Sequence, residues 1–323
     1  MTYIITKKEV ESVLDAKLAL DTVEKAFKAH GTGKVQMPPK SYLQFEKGDL
    51  RSMPAYIRTD EWDIAGIKSV NVHPFNDKLP TVMATILLTD PANGYNIAIL
   101  DGTLITRMRT GGAGGLAAKY LSREESRVAG FVGCGAQAYS QIDCLMLVRK
   151  IGEVKAFDVR LEAIERFCKY VEEKYKIKAI RAGSVEEAVK GCDIVTTVTP
   201  SSTPLVKKEW IAQGTHINAI GADAHGKQEL YSDLTKSCKI IIDEWSQASH
   251  SGEINVPITE KIIGKKNIYA QLGEIVAGKK QGRKNKKEIT MFDSTGLAIQ
   301  DVSVAFVVLQ RLDKEKLTKI DFF

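Results

Sequence analysis

The sequence predicts an α/β fold in two parts, from three observations. Strand-like segments follow one another without helices between residues 41 and 100, strands and helices alternate from about residue 116, and an apolar helical segment, 297–312, comes last. Neighbouring strands without helices imply an antiparallel or mixed sheet, whereas alternation implies a parallel, doubly wound one. A chain of 323 residues with 44% hydrophobic content exceeds the usual single core and supports two compact domains.

Taken in order, Thr6 and Glu9 have capping-box spacing for a short helix, and Asp15 is placed to cap the next. Leu20, Val23, Ala26 and Phe27 share one face of that second helix, which Gly31 and Gly33 stop. Strands follow at 41–45, 51–57, 64–71, 82–88 and 96–100, with Gly48-Asp49 and Asn93-Gly94 as turns. The run Arg107-Met108-Arg109-Thr110-Gly111-Gly112-Ala113-Gly114-Gly115 joins the two parts and opens a helix rich in small residues. Its glycines suit approach of backbone to an anion, a hinge or tight helix packing. The second part reads as strand 128–132, helix 136–150, strand 154–158, helix 161–175, strand 177–181 and a helix opened by Ser184 with Glu187. Strands 193–198, 215–220, 239–243 and 289–292 complete it. Segment 297–312 is too apolar to face solvent on most sides, so it returns to the first domain or packs on a second subunit.

Within the second part, Arg127-Val128-Ala129-Gly130-Phe131-Val132-Gly133-Cys134-Gly135-Ala136-Gln137-Ala138 is a buried strand entering G-x-G-x-x-A and then a helix. Gly133 permits the tight turn, Gly135 lets backbone reach a pyrophosphate, and Ala138 lets helix and strand pack closely. The next strand ends at Asp158, 23 residues after Gly135. A carboxylate there accepts ribose hydroxyls and repels a 2′-phosphate, which favours NAD; the neighbouring Arg160 leaves a 2′-phosphate open. The motif thus marks a Rossmann-type dinucleotide site. Cys134 is read as packing.

Composition narrows the remaining classes. Five cysteines without a C-x-x-C pair suit a reducing compartment and argue against zinc, and the five histidines have no ligand spacing, so no metal is expected. No stretch approaches a membrane span and the N-terminus lacks a signal-peptide core, so a cytoplasmic protein is expected. Net charge is +6, and the basic run 279–287 lacks interleaved aromatics, which favours a solvated loop over nucleic-acid binding.

Chemistry in an open parallel sheet sits just past the strands. Thr197-Val198-Thr199-Pro200-Ser201 is suited to the ribose and nicotinamide side. Asp223, after Asn218-Ala219-Ile220-Gly221-Ala222, is a candidate general acid or base, with capping of the next segment as the even alternative. His225, two residues on, faces substrate or lies on a surface loop. In the first part, Lys68 interrupts the apolar strand Ile64-Ala65-Gly66-Ile67-Lys68-Ser69-Val70. Pattern alone favours a solvated lysine, though burial beside a cofactor would lower its pKa and suit proton transfer. Lys40 and Arg51 are similarly able to hold a carboxylate.

Together these residues resemble the ornithine cyclodeaminase and mu-crystallin family. The resemblance runs over nearly the whole chain, through Met37-Pro38-Pro39-Lys40, Gly48-Asp49-Leu50-Arg51-Ser52-Met53-Pro54, Gly66-Ile67-Lys68, Arg109-Thr110-Gly111, Gly133 to Tyr139, Thr215 to Asp223 and Phe292 to Ala298. It implies a homodimer in which a Rossmann domain, 116–297, is inserted into an α+β substrate-binding and dimerisation domain, 1–115 plus 298–323. It also implies Lys68 and Asp223 as catalytic residues, reversing the solvated expectation for Lys68, and Lys40, Arg51 and Met53 as substrate contacts. Arg109, Thr110, Gly133, Gly135, Ala136, Gln137, Asp158, Val159, Arg160, Thr197, Ala219, Ile220, Gly221 and Ser294 would contact NAD. The implied activity is NAD-dependent deamination of a small amino acid, alanine first, to an oxo acid and ammonia. Cyclodeamination of ornithine, reduction of a cyclic ketimine or pyrroline carboxylate, and ligand binding without catalysis are the alternatives.

Overall fold

The computed structural model describes residues 1–322 and divides into two compact units, Met1–Arg109 with the residues from Leu297 onward, and Thr110–Gly296. The chain passes from the first to the second inside one helix, Thr103–Leu121.

The first unit is α+β. Its mixed sheet runs in the order Thr318–Ile320, Thr2–Ile5, Asn96–Asp101, Val82–Thr89, Asp63–Val72, Gly48–Arg58 and Val35–Gln36, with Ser41–Phe45 also pairing Gly48–Arg58. All these pairs are antiparallel except Thr2–Ile5 with Asn96–Asp101. Helix Ala16–Gly31 begins where the Asp15 carboxylate accepts the Leu18 N–H at 2.7 Å, and it buries Leu20, Val23, Ala26 and Phe27. The last helix, Ala298–Arg311, packs on that helix and on the sheet of its own unit. Gly66 makes this approach possible, since a Cβ there would lie 3.2 Å from Val302 Cγ2.

Two local expectations are corrected here. Gly48 and Asp49 lie in strand Gly48–Arg58, and the turn falls at Glu46 and Lys47. A Cβ on Gly48 would sit 2.3 Å from Val72 O, so strand contact selects this glycine. The run 107–115 does not open a helix but lies within Thr103–Leu121. In the second unit its glycines let this helix press on helix Ala136–Val148: a Cβ on Gly111 would meet Ser140 O at 2.3 Å, and one on Gly115 would meet Cys144 Cβ at 2.8 Å.

The second unit is a Rossmann-type doubly wound domain. Its sheet runs Lys178–Arg181, Glu153–Phe157, Val128–Val132, Ile194–Thr197, His216–Ala219, Thr290–Asp293, Lys239–Ile242 and Ile268–Gln271, every pair parallel. Strand order reverses between Val128–Val132 and Ile194–Thr197, the switch point at which such sheets take ligands. His216 is a core residue, with Nδ1 3.0 Å from Thr290 Oγ1 and Nε2 3.0 Å from Asn218 Oδ1. The basic run is anchored by Arg283, whose guanidinium donates to the carbonyls of Leu121 and Glu288, both at 2.6 Å. No helix among the described residues is long and apolar enough to cross a membrane.

Candidate functional site

In the first unit, Lys68 and the core residues Ile64 and Val70 alternate along one strand, which turns them all inward. Lys68 is 1% exposed, so the solvated expectation drawn from pattern fails: its parity matches the core. Its Nζ lies 2.8 Å from Asp301 Oδ2, and Arg109 Nε donates to Asp301 Oδ1 at the same distance. Arg109 Nη1 also donates to Gln300 Oε1 at 3.0 Å. Burial above all, then the Arg109 charge, pulls the Lys68 pKa down from its ordinary range to about 7, with Asp301 opposing and Lys40 adding to the fall. Lys68 is therefore poised to gain or lose a proton near neutrality.

Lys40 and Arg51 are also buried, and both approach the Tyr42 ring, at 5.9 and 5.4 Å from its centroid. Arg51 forms a two-pronged pair with Asp49, Nε to Oδ1 at 2.7 Å and Nη2 to Oδ2 at 3.1 Å. Met53 is buried directly opposite Lys68 on the adjacent strand. Among the described residues, Lys40, Arg51, Lys68 and Arg109 outnumber Asp49 and Asp301 in this cluster, a charge balance that suits an anion.

The second unit carries the dinucleotide turn. Gly133 has φ +97 and donates its N–H to Phe157 O at 2.8 Å; a Cβ there would strike Val198 O at 2.7 Å. Gly135, the N-cap of helix Ala136–Val148, has nothing within 4 Å of where a Cβ would stand. That open cradle in front of a helix N-terminus fits a pyrophosphate. Ala136 and Gln137 supply the first turn. The Asp158 carboxylate accepts the Cys134 N–H and the Arg160 N–H, each at 2.9 Å, which fixes it at the end of its strand. Arg160 Nε lies 3.5 Å from the same carboxylate, and Val159 beside it is 89% exposed. Cys134 is buried and burial pushes its thiol well above the ordinary range, consistent with packing.

Past the other strands, Thr197 is fully buried with its hydroxyl donated to Glu229 Oε2 at 2.7 Å, so its side chain serves the fold. Glu229 also accepts the Thr199 N–H at 2.6 Å, the Thr199 hydroxyl at 2.8 Å and the Gly221 N–H at 2.9 Å. This buried carboxylate ties the strand end at Thr197 to the segment Ala219, Ile220, Gly221 that leads to Asp223. Asp223 is half-buried, 2.6 Å from Lys227 Nζ, and His225 is exposed. Ser294 follows strand Thr290–Asp293, and its buried Oγ has no hydrogen-bond partner among the described residues, as a ligand-facing hydroxyl would.

The structure thus gathers Lys40, Arg51, Met53 and Lys68 in one unit, and the glycine turn, Asp158, Val159, Arg160, Ala219, Ile220, Gly221, Asp223 and Ser294 in the other. Arg109, expected on the dinucleotide, has its guanidinium on Asp301 and Gln300 within the first unit, while Thr110 is buried and its carbonyl accepts from Gln141 Nε2 at 2.9 Å. Asp301, Asp49, Lys227 and Glu229 escaped the sequence reading. Asp301 had a signal: it is the single acid in the mostly apolar helix Ala298–Arg311. Glu229 had none, because three of its four donors come from Thr197 and Thr199, some thirty residues away in sequence.

A doubly wound dinucleotide-type domain joined to an α+β unit with a buried lysine defines the class. The model of the ornithine cyclodeaminase/mu-crystallin family matches residues 1–316, and the chain belongs to that family. It is 51% identical to an alanine dehydrogenase of Archaeoglobus fulgidus over 325 aligned positions, covering all of this chain and 99% of the relative. Among solved structures it is similar to an archaeal alanine dehydrogenase dimer with bound NAD, at a TM-score of 0.95, 51% identity and coverage of 100% and 99%. A Thermococcus litoralis Δ1-pyrroline-2-carboxylate reductase in complex with NADH and L-proline has a TM-score of 0.95 at 34% identity, covering 99% of this chain and all of that one.

Proposed function

We propose that the chain catalyses the reversible NAD-dependent oxidative deamination of L-alanine to pyruvate and ammonia. One observation carries the choice of substrate within the family: both carboxylates of the Lys68 cluster are committed to cations, Asp301 to Lys68 and Arg109, and Asp49 to Arg51. A substrate carboxylate is welcome there, whereas a second ammonium, as on ornithine, would find both carboxylates already paired with cations. Met53 beside Lys68 suits a methyl side chain. The full-length 51% identity to an alanine dehydrogenase supports the same substrate.

Lys40 and Arg51 hold the substrate carboxylate. Lys68 and Asp223 manage the protons as water adds to the iminium and the carbinolamine collapses to pyruvate and ammonia. NAD, when bound, supplies the hydride acceptor. Gly133, Gly135, Ala136 and Gln137 would receive its pyrophosphate and Asp158 its adenosine ribose, with Val159 and Arg160 on the adenine side and Ala219, Ile220, Gly221 and Ser294 on the nicotinamide side. The protein works as a homodimer; Leu43, Phe45, Phe75 and Leu79, exposed on the first unit, are apolar surface that a second copy would cover. Its five buried thiols suit the cytoplasm.

A spectrophotometric screen tests the assignment. L-Alanine with NAD should give net NADH, and pyruvate with ammonia should consume it. Ammonia from ornithine without net NADH, or NADH consumption only with a cyclic imine, would replace alanine dehydrogenation with one of the alternatives.

A further inference from the structure

The last helix does more than cover the sheet. Of its fourteen residues, Gln300 and Asp301 are polar yet wholly buried in its first turn, where an apolar pair would pack at less cost. Asp301 is shared: one oxygen lies 2.8 Å from Lys68 Nζ and the other accepts from Arg109 Nε at 2.8 Å. Gln300 Oε1 takes Arg109 Nη1 at 3.0 Å and also accepts the Leu297 N–H at 3.2 Å, which fixes the start of the helix to the same guanidinium. The charges that bear on Lys68 are then Asp301 from the last helix, Arg109 from Thr103–Leu121, and Lys40 from the segment before Ser41–Phe45.

We propose that Asp301 is the positioning residue of Lys68: its shared carboxylate fixes the amine in place and, balanced against Arg109, sets the pH at which Lys68 exchanges its proton. Asp301 acts through the Lys68 amine, which lies 2.8 Å from its carboxylate. Because its second oxygen belongs to Arg109, it holds Lys68 without binding the proton so firmly that the lysine stays charged through the working range. The sign of each perturbation follows. Loss of the Asp301 charge leaves Lys68 facing Arg109 and Lys40 alone and lowers its pKa below about 7, whereas loss of the Arg109 charge raises it.

The catalytic meaning of this network rests on the dehydrogenase reading; the electrostatic coupling does not, so the primary test reads Lys68 directly. In full-length protein labelled with [ε-13C]lysine, the Lys68 resonance is identified by its loss in Lys68→Met and titrated in the wild type, in Asp301→Asn and in Arg109→Gln. The expected shifts are downward by at least one pH unit in Asp301→Asn and upward in Arg109→Gln. At saturating NAD and alanine, the Lys68 limb of the pH–rate profile moves in parallel, and kcat of Asp301→Asn falls at least tenfold. Should Asp301→Asn fail to fold, Arg109→Gln carries the opposite-sign prediction alone. A Lys68 titration that stays within 0.3 unit of wild type in the folded variants overturns the proposal. If alanine is not turned over, the dehydrogenase reading fails while the titration still decides the role of Asp301.

Discussion

Burial holds the Lys68 pKa near 7 in the folded chain against an ordinary 10.5, so the unfolded chain binds this proton more tightly between those pH values. Stability contributed at this position is therefore present above the unfolded value and lost as pH falls towards 7. Lys68→Met removes that cost and leaves Arg109 and Asp301 as a matched pair. The variant should melt above the wild type at pH 7 by about 2 °C or more, while turnover falls at least about a hundredfold. Thermal melts and steady-state rates check both; a melting point several degrees lower would show that the lysine serves the fold. His216 gives a second case with the same sign. Burial lowers its pKa to about 3, so the protein should lose on the order of a few kcal/mol as pH falls from about 6.5 towards 3. His216→Asn, measured by urea unfolding across that window, should flatten the dependence. Lys68 was misread from pattern because a charged residue in an apolar strand is ordinarily at the surface; only its parity with Ile64 and Val70 spoke otherwise.

At the level of elements, most helices and strands were legible because their information is local: caps at Thr6, Asp15 and Ser184, apolar period, and the glycine turn. Those missed were short: the strands Thr2–Ile5, Val35–Gln36, Ile268–Gln271 and Thr318–Ile320, whose existence depends on partners remote in sequence, and the helices Ser232–Ser237, Trp245–Ser251, Asn255–Thr259 and Leu272–Val276, which are too short to show an apolar period. The glycines at 111–115 were visible, but their purpose was not, since helix packing depends on which helix arrives opposite. Two substitutions separate the two uses of glycine. Gly111→Ala drives a Cβ to within 2.3 Å of a backbone oxygen and should cost about 2–4 kcal/mol by denaturant unfolding. Gly135→Ala meets open space and should leave stability within about 0.5 kcal/mol. It should still weaken NADH binding at least about tenfold by fluorescence titration, because the Cβ occupies the pyrophosphate cradle. Equal nucleotide affinity in Gly135→Ala would remove the turn from cofactor binding.

For the whole molecule, the two-part organisation was readable from the change of period, and the return of the last helix to the first unit was one of two options that only packing could decide. Of the candidate site, the glycine turn at Gly133 to Ala138 and the Asp158 carboxylate are legible as a local motif, whereas Asp301 and Glu229 meet their partners from distant segments. Cofactor choice belongs to this scale: Asp158→Ser should shift the kcat/KM ratio towards NADP by at least about tenfold, with Arg160 then facing a 2′-phosphate. The central claim is that alanine loses its α-hydrogen to NAD and does not recover it. The measurement that bears on it most directly follows the label from L-[2-2H]alanine with NAD by NMR. Deuterium at nicotinamide C4 of the accumulated NADH, in one-to-one yield with pyruvate, is the predicted result; release of ammonia with no deuterium accumulating in NADH would contradict it.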